Sequence, residues 1–471
     1  MLTAKLPLLG KRHRMQVLVA LTYHIMTFVH GIGIGWVSPT VEIIQSPETP
    51  LSFPVTVEDV SWIGSFFGFG FLSGNILFGL TANRLSRKLN MYLLALPHML
   101  FWILNYFVQN VEYLYAGRFF AGVTNAGLFV IAPIFFSEIL DKDVRGTIMS
   151  MGMTVISCGI LTGFILPTKV DYYLTPCIGM ALPIIYVVVF YFFPETPQSL
   201  LRSGRLTEAE AAFNFYKGID NGVNVQLSRR VEESKTATEV QSEFEELKTI
   251  ILTGNGNVPV KFQDFCRFEK SALKAFADTF VLCTLYHLSG TFAFLNYMTS
   301  IFTVSGSTMD PYFCTIIVGV THICGTIVAA VFVDRFGRRA LLFSGTTAMI
   351  IGMFGFGAFV QFTDAAIKAQ YDWAPLAFMI AVIFTSAYGL YGNFFTIVVE
   401  ILPAKIRSPA LSISMCFMSL LMFLILKLYP YFLVELGIPA TMYTSGTISV
   451  VTTTYLFKFL PETKGKSMEK D

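Results

Sequence analysis

Twelve long apolar segments constrain the fold of this chain more than any other feature of its sequence. A helix needs about 20 apolar residues to cross the hydrocarbon core of a bilayer. The twelve segments lie at about 15–37, 60–82, 91–110, 113–137, 146–168, 174–193, 274–303, 311–333, 340–362, 373–400, 409–432 and 438–460. Because the sequence lacks the alternating pattern of a transmembrane barrel, we predict an all-α membrane protein with twelve transmembrane helices.

The composition agrees with this prediction and excludes other classes of protein. Apolar residues make up 54% of the 471 residues and charged residues only 14%, against about 25% charged residues in an average soluble domain. This excludes a disordered chain and argues against a soluble enzyme. The net charge of +2 gives no sign of a nucleic-acid partner. We therefore expect a protein of the lipid bilayer that is not an enzyme.

The basic residues predict the orientation of the chain in the membrane. Nearly all of the 33 Lys and Arg residues fall at one side of the predicted spans, and the exceptions are Arg118, Lys169, Lys368 and Lys427. Cytoplasmic loops carry such an excess of positive charge, so both termini are predicted to be cytoplasmic. The first apolar segment is long and lacks a small-residue cleavage site, which indicates a retained span rather than a signal peptide. The plasma membrane is the expected location.

Three motifs occur twice, in the same order and at similar separations. The first motif is Asn83-Arg84 with Arg87, and its second copy is Asp334-Arg335 with Arg338. In the second motif a Glu precedes an Arg by seven residues, as Glu138 and Arg145 and again as Glu400 and Arg407. The third motif is Pro194-Glu195-Thr196, repeated as Pro461-Glu462-Thr463. Such a repeat predicts two parallel six-helix halves, a design found in transporters that bind substrate between their halves. The predicted units are an N-terminal half at 1–193, a cytoplasmic linker at 194–273, a C-terminal half at 274–460 and a cytoplasmic tail at 461–471.

All copies of the repeated motifs lie on the predicted cytoplasmic side. Topology alone requires Lys and Arg but not the paired glutamates, so the pattern favours a gate of ion pairs that closes this side over a mere orientation signal. The predicted cytoplasmic gate comprises Asn83, Arg84, Arg87, Glu138, Arg145, Glu195, Asp334, Arg335, Arg338, Glu400, Arg407 and Glu462.

The polar linker is predicted to form a bundle of short amphipathic helices. Thr207 followed by Glu210 is a capping-box pattern that predicts a helix start. The chain contains no Gly-x4-Gly-Lys-Ser/Thr loop, so ATP-driven transport and a nucleotide cofactor are not expected. Its seven cysteines have no metal-ligand spacing, and no metal site is predicted.

Together, these motifs resemble those of the sugar porters of the major facilitator superfamily, and Gly117-Arg118 adds to the resemblance. The segment Gly35-Trp36-Val37-Ser38-Pro39 is similar to the insect facilitated trehalose transporter-like branch. The resemblance implies alternating access, a small sugar-like substrate and a monomeric functional unit. It also implies a substrate cavity at Met153, Tyr286, His287, Phe292, His322, Asn393, Phe395 and Met418, with an outer gate at Asn296 and Tyr297.

Several of these cavity positions differ from the pattern of the family. Met153, Phe292 and Met418 stand where the resemblance implies side-chain amides that bind sugar hydroxyls, and Phe395 stands in place of a Trp. A neutral hydrogen bond contributes about 0.5–1.5 kcal/mol, so these replacements weaken sugar binding unless other groups compensate. Imidazole can both donate and accept, so His287 and His322 are candidates for that role or are structural histidines.

Three functions are therefore open at the level of sequence. The leading hypothesis is a facilitative transporter for a hexose or for trehalose, because no Asp or Glu occurs between Met15 and Val37, where proton-coupled sugar porters carry a carboxylate. The alternatives are a transporter-like sugar sensor with little flux and a carrier of a different, less polar solute.

Overall fold

The computed structural model describes residues 11–82, 84–219, 230–253, 270–403 and 407–462. After a single 3-10 turn at Lys11–His13, the first half consists of helices that follow one another with short connections. They are α1 (Arg14–Gly35), α2 (Val37–Gln45), α3 (Val57–Thr81), α4 (Arg87–Tyr106), α5 (Val111–Ile139), α6 (Lys142–Lys169) and α7 (Leu174–Phe190). Trp36 joins α1 to α2, and the two helices form one stretch, Arg14–Gln45, which contains the first predicted span.

The linker and the second half are helical as well. The linker helices are α8 (Pro197–Arg202), α9 (Leu206–Tyr216) and α10 (Arg230–Leu252). The second half contains α11 (Lys270–Leu288), α12 (Thr291–Val304), α13 (Pro311–Phe336), α14 (Arg338–Phe362), α15 (Ala365–Gln370), α16 (Ala374–Ser386), α17 (Phe394–Ile401), α18 (Arg407–Tyr431) and α19 (Gly437–Phe459).

The helices fit the predicted twelve spans. Eight helical stretches of the described residues are long and apolar enough to cross a membrane, and one of them, Pro409–Phe459, contains the last two spans. The shorter apolar helix α7, the helix α4 and the broken pair α11 and α12 correspond to the other three. The chain is therefore a multi-pass membrane protein.

Two of the spans are interrupted where the sequence allows it. Gly290 separates α11 from α12 at a φ of 81°, a conformation that residues with a Cβ rarely adopt. A Cβ at this position would also lie 2.8 Å from Ser445 Oγ. Between α16 and α17 the helix widens into a π-helical segment at Ala387–Tyr391. Both interruptions lie in the second half, beside the space between the halves.

Small residues let helices of the first half approach closely. Gly31 of α1 faces Gly159 of α6, and a Cβ on Gly31 would lie 2.9 Å from the Cα of Gly159. Such contacts are a common means of helix association in membranes, where burial of apolar surface gives little driving force. The two halves meet along α3 with α18 and along α6 with α13.

The linker packs a small core of its own against the first half. Leu201, Phe213 and Phe244 are buried together in this core. The predicted capping box at Thr207 and Glu210 is wrong, because α9 begins one residue earlier, at Leu206, and its N-cap is Arg205 without a side-chain cap. The basic side chain of Arg205 instead pairs with the exposed Glu208 one turn on.

A cluster of charges, which we call the linker clamp, joins α10 to the start of α1. Glu243 binds Arg12 at 2.8 Å and Lys217 at 2.7 Å. Arg12 and Lys217 also bind Asp141, in the loop between α5 and α6, at 3.1 and 2.5 Å. Burial raises the pKa of Glu243, but its hydrogen bonds with Lys217 and Arg12 outweigh this and hold the pKa below the ordinary value.

We expect Glu243→Gln to loosen the linker clamp. The carboxylate is about one-third exposed to solvent, which screens its ion pairs, so a loss of about 0.5–1 kcal/mol is expected. This corresponds to about two- to fivefold faster hydrogen exchange at the backbone amides of α9 at neutral pH. Glu245→Gln, on the same helix, is the matched control, because among the described residues Glu245 forms an ion pair with Lys248 alone, three residues on.

The same variant tests the pH dependence of the clamp. A lowered pKa in the folded state stabilises the protein above the ordinary pKa of Glu, and the stabilisation is lost as the pH falls through the folded-state pKa. Acidification from about pH 7 to about pH 4 should therefore lower the Tm of the wild type more than that of Glu243→Gln. An equal fall in both proteins would contradict this role of Glu243.

Candidate functional site

A cavity of about 50 Å³ lies between the halves, enough for about three or four water molecules. Six of the eight residues predicted to contact substrate line it together: Met153, Tyr286, Phe292, His322, Phe395 and Met418. Helices of both halves therefore contribute side chains to one space.

The other two predicted residues are buried outside the described lining. His287 packs against Tyr286 and Phe292, and neither of its ring nitrogens has a hydrogen-bond partner among the described residues. Asn393 donates from Nδ2 to the carbonyl oxygens of Tyr388 and Gly389, at 2.8 and 3.1 Å. Asn393 thus satisfies backbone carbonyls at the interruption between α16 and α17.

The lining also contains residues that the sequence analysis did not select. They include His30, Asn125, Phe129, Ser157, Thr326 and Tyr391. His30 and Asn125 are polar residues inside apolar segments, and such residues tend to face a cavity or a partner. That signal was present in the sequence, but nothing in it indicated that α1 and α5 place the two side chains together.

The C-terminal wall of the cavity is mainly aromatic. Tyr286 packs against Tyr391 at 4.7 Å between ring centroids, and Tyr391 packs edge to face with His322 at 5.5 Å. Both ring nitrogens of His322 lack a hydrogen-bond partner among the described residues. Aromatic faces suit the apolar face of a sugar ring, and the imidazole adds a group that can bond a hydroxyl.

We call the face with the repeated motifs the basic face and the other the opposite face. Arg118 closes the space between the halves toward the opposite face, although it was not among the predicted gate residues. Its guanidinium is fully buried and donates to the carbonyl oxygens of Ile63 and Gly33 and to Oδ1 of Asn296, at 3.3, 3.1 and 3.2 Å. It also lies 4.6 Å from the ring centroid of Phe67. The bond to Asn296 crosses from one half to the other.

The two predicted outer-gate residues both lie at this boundary. Tyr297 donates its hydroxyl to the carbonyl oxygen of Leu426 at 3.1 Å, and its ring carbon Cζ lies 3.1 Å from where a Cβ on Gly64 would be. Nearby, Ser38 and Thr299 are 2.9 Å apart across the halves. These contacts, with that of Arg118 and Asn296, seal the opposite face in this conformation.

Lys427, in the apolar segment of α18, lies outside the described lining of the cavity. Its ammonium group lies 3.5 Å from the ring centroid of Trp62 and 5.8 Å from that of Tyr431. A cation over aromatic faces is stabilised by the ring quadrupole. Its backbone carbonyl accepts a hydrogen bond from Ser61, which adds a contact between the halves.

On the basic face the repeated motifs form equivalent ion pairs in the two halves. Arg87 binds Glu138 at 2.9 Å, and Arg338 binds Glu400 at 3.1 Å. Arg338 also binds Asp334 at 3.0 Å. Each of these pairs joins residues of the same half, so in this conformation they fix the helix ends within a half.

The third motif contributes equivalent helix caps. The carboxylate of Glu195 accepts the backbone N–H of Lys88 at 3.1 Å, and that of Glu462 accepts the backbone N–H of Arg339 at 3.3 Å. These amides belong to the first turns of α4 and α14, where helices have unpaired N–H groups and a partial positive charge. The motif therefore stabilises the same helix start in each half.

The remaining predicted gate residues have more varied surroundings. Arg145 donates to the carbonyl oxygens of Ser137 and Leu140, and Arg407 donates to that of Leu402. Arg84 is exposed, and Arg335 lies over the ring of Phe332. Asn83 lies outside the described residues.

Phe129 and Phe395 meet on the basic-face side of the cavity, with their ring centroids 4.5 Å apart and 13° between the planes. Phe129 belongs to α5 and Phe395 to α17, so this stack joins the two halves. Both rings also line the cavity. The stack is thus an apolar contact between the halves at the edge of the cavity.

One group of possible metal ligands occurs among the described residues. His13, Asp141 and Asp143 place ligand atoms within 4.8 Å of one another. However, the carboxylate of Asp141 already binds Lys217 and Arg12, so its charge is compensated within the linker clamp. The geometry therefore favours the clamp over a metal site.

A family profile described as "Sugar (and other) transporter" matches residues 19–470. A facilitated trehalose transporter of Apis mellifera ligustica is 27% identical over 459 residues, which cover 98% of this chain and 88% of that protein. One of Aedes aegypti is 28% identical over 455 residues, covering 96% of this chain and 54% of that protein. The chain thus spans about half the length of the Aedes relative.

Solved structures share the fold at lower sequence identity. An inward-open structure of the xylose transporter from E. coli aligns with a TM-score of 0.74 at 18% identity, over 96% of this chain and 98% of that one. Its partially occluded inward-open structure gives a TM-score of 0.72 at 17% identity, over 96% and 100% of the chains. With the profile match over nearly the whole chain, these findings establish that the protein belongs to the sugar transporter family and has the major facilitator fold.

Proposed function

We propose that this protein is a facilitative sugar transporter that works by alternating access. The observation that carries the proposal is the cavity between two equivalent halves, lined by both, with contacts between the halves on its opposite-face side. A carrier of this design binds its solute near the middle of the membrane and exposes it to each side in turn.

The proposal assigns each face a role in the transport cycle. The basic face is cytoplasmic, because Lys and Arg concentrate there, and the protein acts as a monomer in the plasma membrane with both termini in the cytoplasm. The conformation described here is then closed to the outside, with the Phe129 and Phe395 stack at the edge of the cavity. The predicted cytoplasmic gate would be completed when the two halves rotate toward each other on this face.

A hexose or trehalose is the proposed substrate. Aromatic residues and His322 offer stacking and hydrogen bonds of the kind that sugars require, and the relatives named above are trehalose transporters.

A less polar solute is the second candidate, and the apolar lining supports it. Met153, Phe292 and Met418 contribute carbon and sulfur to the cavity surface, where an amide would offer hydrogen bonds. A sensor with little flux is a third reading of the same lining. These candidates differ in what crosses the membrane and are separated by transport measurements.

Uptake of radiolabelled glucose and trehalose into proteoliposomes tests the proposal directly. We expect saturable uptake of one of these sugars that stops at the external concentration. An imposed pH gradient should leave the plateau unchanged, since the described cavity lining contains no carboxylate. Ligand binding without uptake would favour the sensor, and uptake only of apolar solutes would favour the second candidate.

Asp278→Asn sharpens the test of facilitated diffusion. Asp278 is a buried carboxylate of α11, and one of its oxygens has no hydrogen-bond partner among the described residues. If a pH gradient drives sugar accumulation in the wild type but not in Asp278→Asn, the mechanism is proton coupling through Asp278 and not facilitated diffusion.

The contact between Arg118 and Asn296 should set the balance between inward- and outward-facing states. Asn296→Ala removes the acceptor of a charged hydrogen bond worth about 1.5 kcal/mol, so we expect the outward-open population to rise about tenfold. Spin labels at Glu48 and Val304, on opposite halves at this face, should report it as a longer distance in pulsed electron resonance.

Asn105→Ala is the matched control for this measurement. It removes another buried amide of the membrane region, which, in the part of the chain that the structure describes, donates to the carbonyl oxygen of Phe101 on its own helix alone. An unchanged distance distribution in Asn296→Ala, or an equal change in both variants, would refute a gating role for the contact.

A further inference from the structure

The wall that the first half contributes to the cavity contains very few polar groups. Its lining residues with polar side chains are His30, Asn125 and Ser157. The hydroxyl of Ser157 donates to the carbonyl oxygen of Met153 at 2.9 Å, on its own helix. His30 and Asn125 are therefore the groups of this wall that can both donate to a ligand and accept from it.

His30 and Asn125 form one buried polar pair. His30 Nε2 and Asn125 Oδ1 are 2.9 Å apart, and the two residues are 1% and 5% exposed. The imidazole lies over the ring of Phe67 at 6.0 Å between centroids and against the edge of His98 at the same distance. These contacts fix the ring between α1, α3 and α4, so its free nitrogen has a defined position.

The pair has at least one donor and at least one acceptor left over whichever way its hydrogen bond runs. If the imidazole donates from Nε2, its Nδ1 is an acceptor and the amide retains its NH2 donor. If the amide donates instead, Nδ1 carries the proton and the amide retains its oxygen. In the structure Nδ1 of His30 is buried and has no hydrogen-bond partner among the described residues.

A hydroxyl group matches this arrangement because it donates and accepts at once. A cation would require an anionic partner, which the pair does not supply, and a neutral imidazole–amide pair has no positive charge to attract an anion. On the other wall, His322 presents two more nitrogens without partners among the described residues. Polar groups thus stand on both walls, with apolar side chains between them.

We propose that His30 and Asn125 form a hydroxyl-binding subsite in the first half, which recognises one hydroxyl group of the transported solute. This inference rests on the proposed function and extends it by naming a specificity-determining pair. The subsite gives the first half a polar contact with the substrate, so a sugar bridges the two walls. Solutes without a hydroxyl at the matching position are then transported less well.

A panel of deoxy analogues of the transported sugar tests the subsite in proteoliposomes. The wild type should discriminate against one particular analogue by about three- to tenfold in KM, the range expected for one neutral hydrogen bond. In His30→Leu and Asn125→Leu the parent sugar should lose this advantage, while discrimination against the other analogues and the maximal rate remain. The readout is thus a change tied to one hydroxyl, which a merely structural role would not produce.

Two further variants keep the test independent of folding defects. Asn105→Leu is the matched control for Asn125→Leu, because this buried amide donates to the carbonyl oxygen of Phe101 on its own helix at 2.7 Å and is absent from the described cavity lining. It should keep the wild-type pattern. His30→Gln retains a donor and an acceptor and should recover at least part of the lost discrimination, including where His30→Leu does not fold.

The outcomes separate this inference from the proposed function. The subsite alone would be overturned if the wild type takes up sugar but Asn125→Leu and the His30 variants that fold show the same discrimination among analogues as the wild type. Neither uptake nor thermal stabilisation of the wild type by any sugar of the panel would overturn both proposals.

Discussion

The buried guanidinium of Arg118 is the interaction on which the arrangement of the two halves depends. A permanent charge in a low-dielectric interior is costly unless it is fully hydrogen-bonded. Here the bonds come from carbonyl groups of two helices in the first half and from the amide of Asn296 in the second. Separating the halves on this side takes away one of these acceptors. The charge therefore couples the packing of the membrane helices to the closure of the cavity.

The duplicated motifs have a physical basis that their sequence only partly reveals. In each half an arginine binds a glutamate, and a second glutamate caps the helix that begins with that arginine. The two halves thus solve the same problem, unpaired N–H groups at a helix start near the membrane surface, with the same three residues. Each half is held rigid at this face, as a movement of whole halves requires.

Much of the fold followed from the sequence, whereas only part of the site did. Apolar segment lengths predict the spans, and the duplicated motifs predict the halves, because both depend on local composition. The contacts of Arg118 with Asn296 and of His30 with Asn125 depend on which faces of the helices meet, and a helix that is apolar on all sides gives no periodic signal of its orientation. The predicted capping box at Thr207 is wrong for a different reason. The helix α9 already begins at Leu206, with Arg205 as an N-cap that makes no side-chain hydrogen bond, so Thr207 lies inside the first turn.

The interruption between α16 and α17 lowers the cost of bending this span inside the membrane. Bending an intact helix in hydrocarbon exposes carbonyl groups that nothing there can satisfy. At Ala387–Tyr391 the π-helical segment already departs from regular α-helical hydrogen bonding, and the side-chain amide of Asn393 donates to two of the backbone carbonyl oxygens. A bend at this point therefore leaves fewer carbonyl groups without a hydrogen-bond partner. The short helix α17, which carries Phe395, begins directly after this segment, so a bend here costs less than a bend in an intact helix.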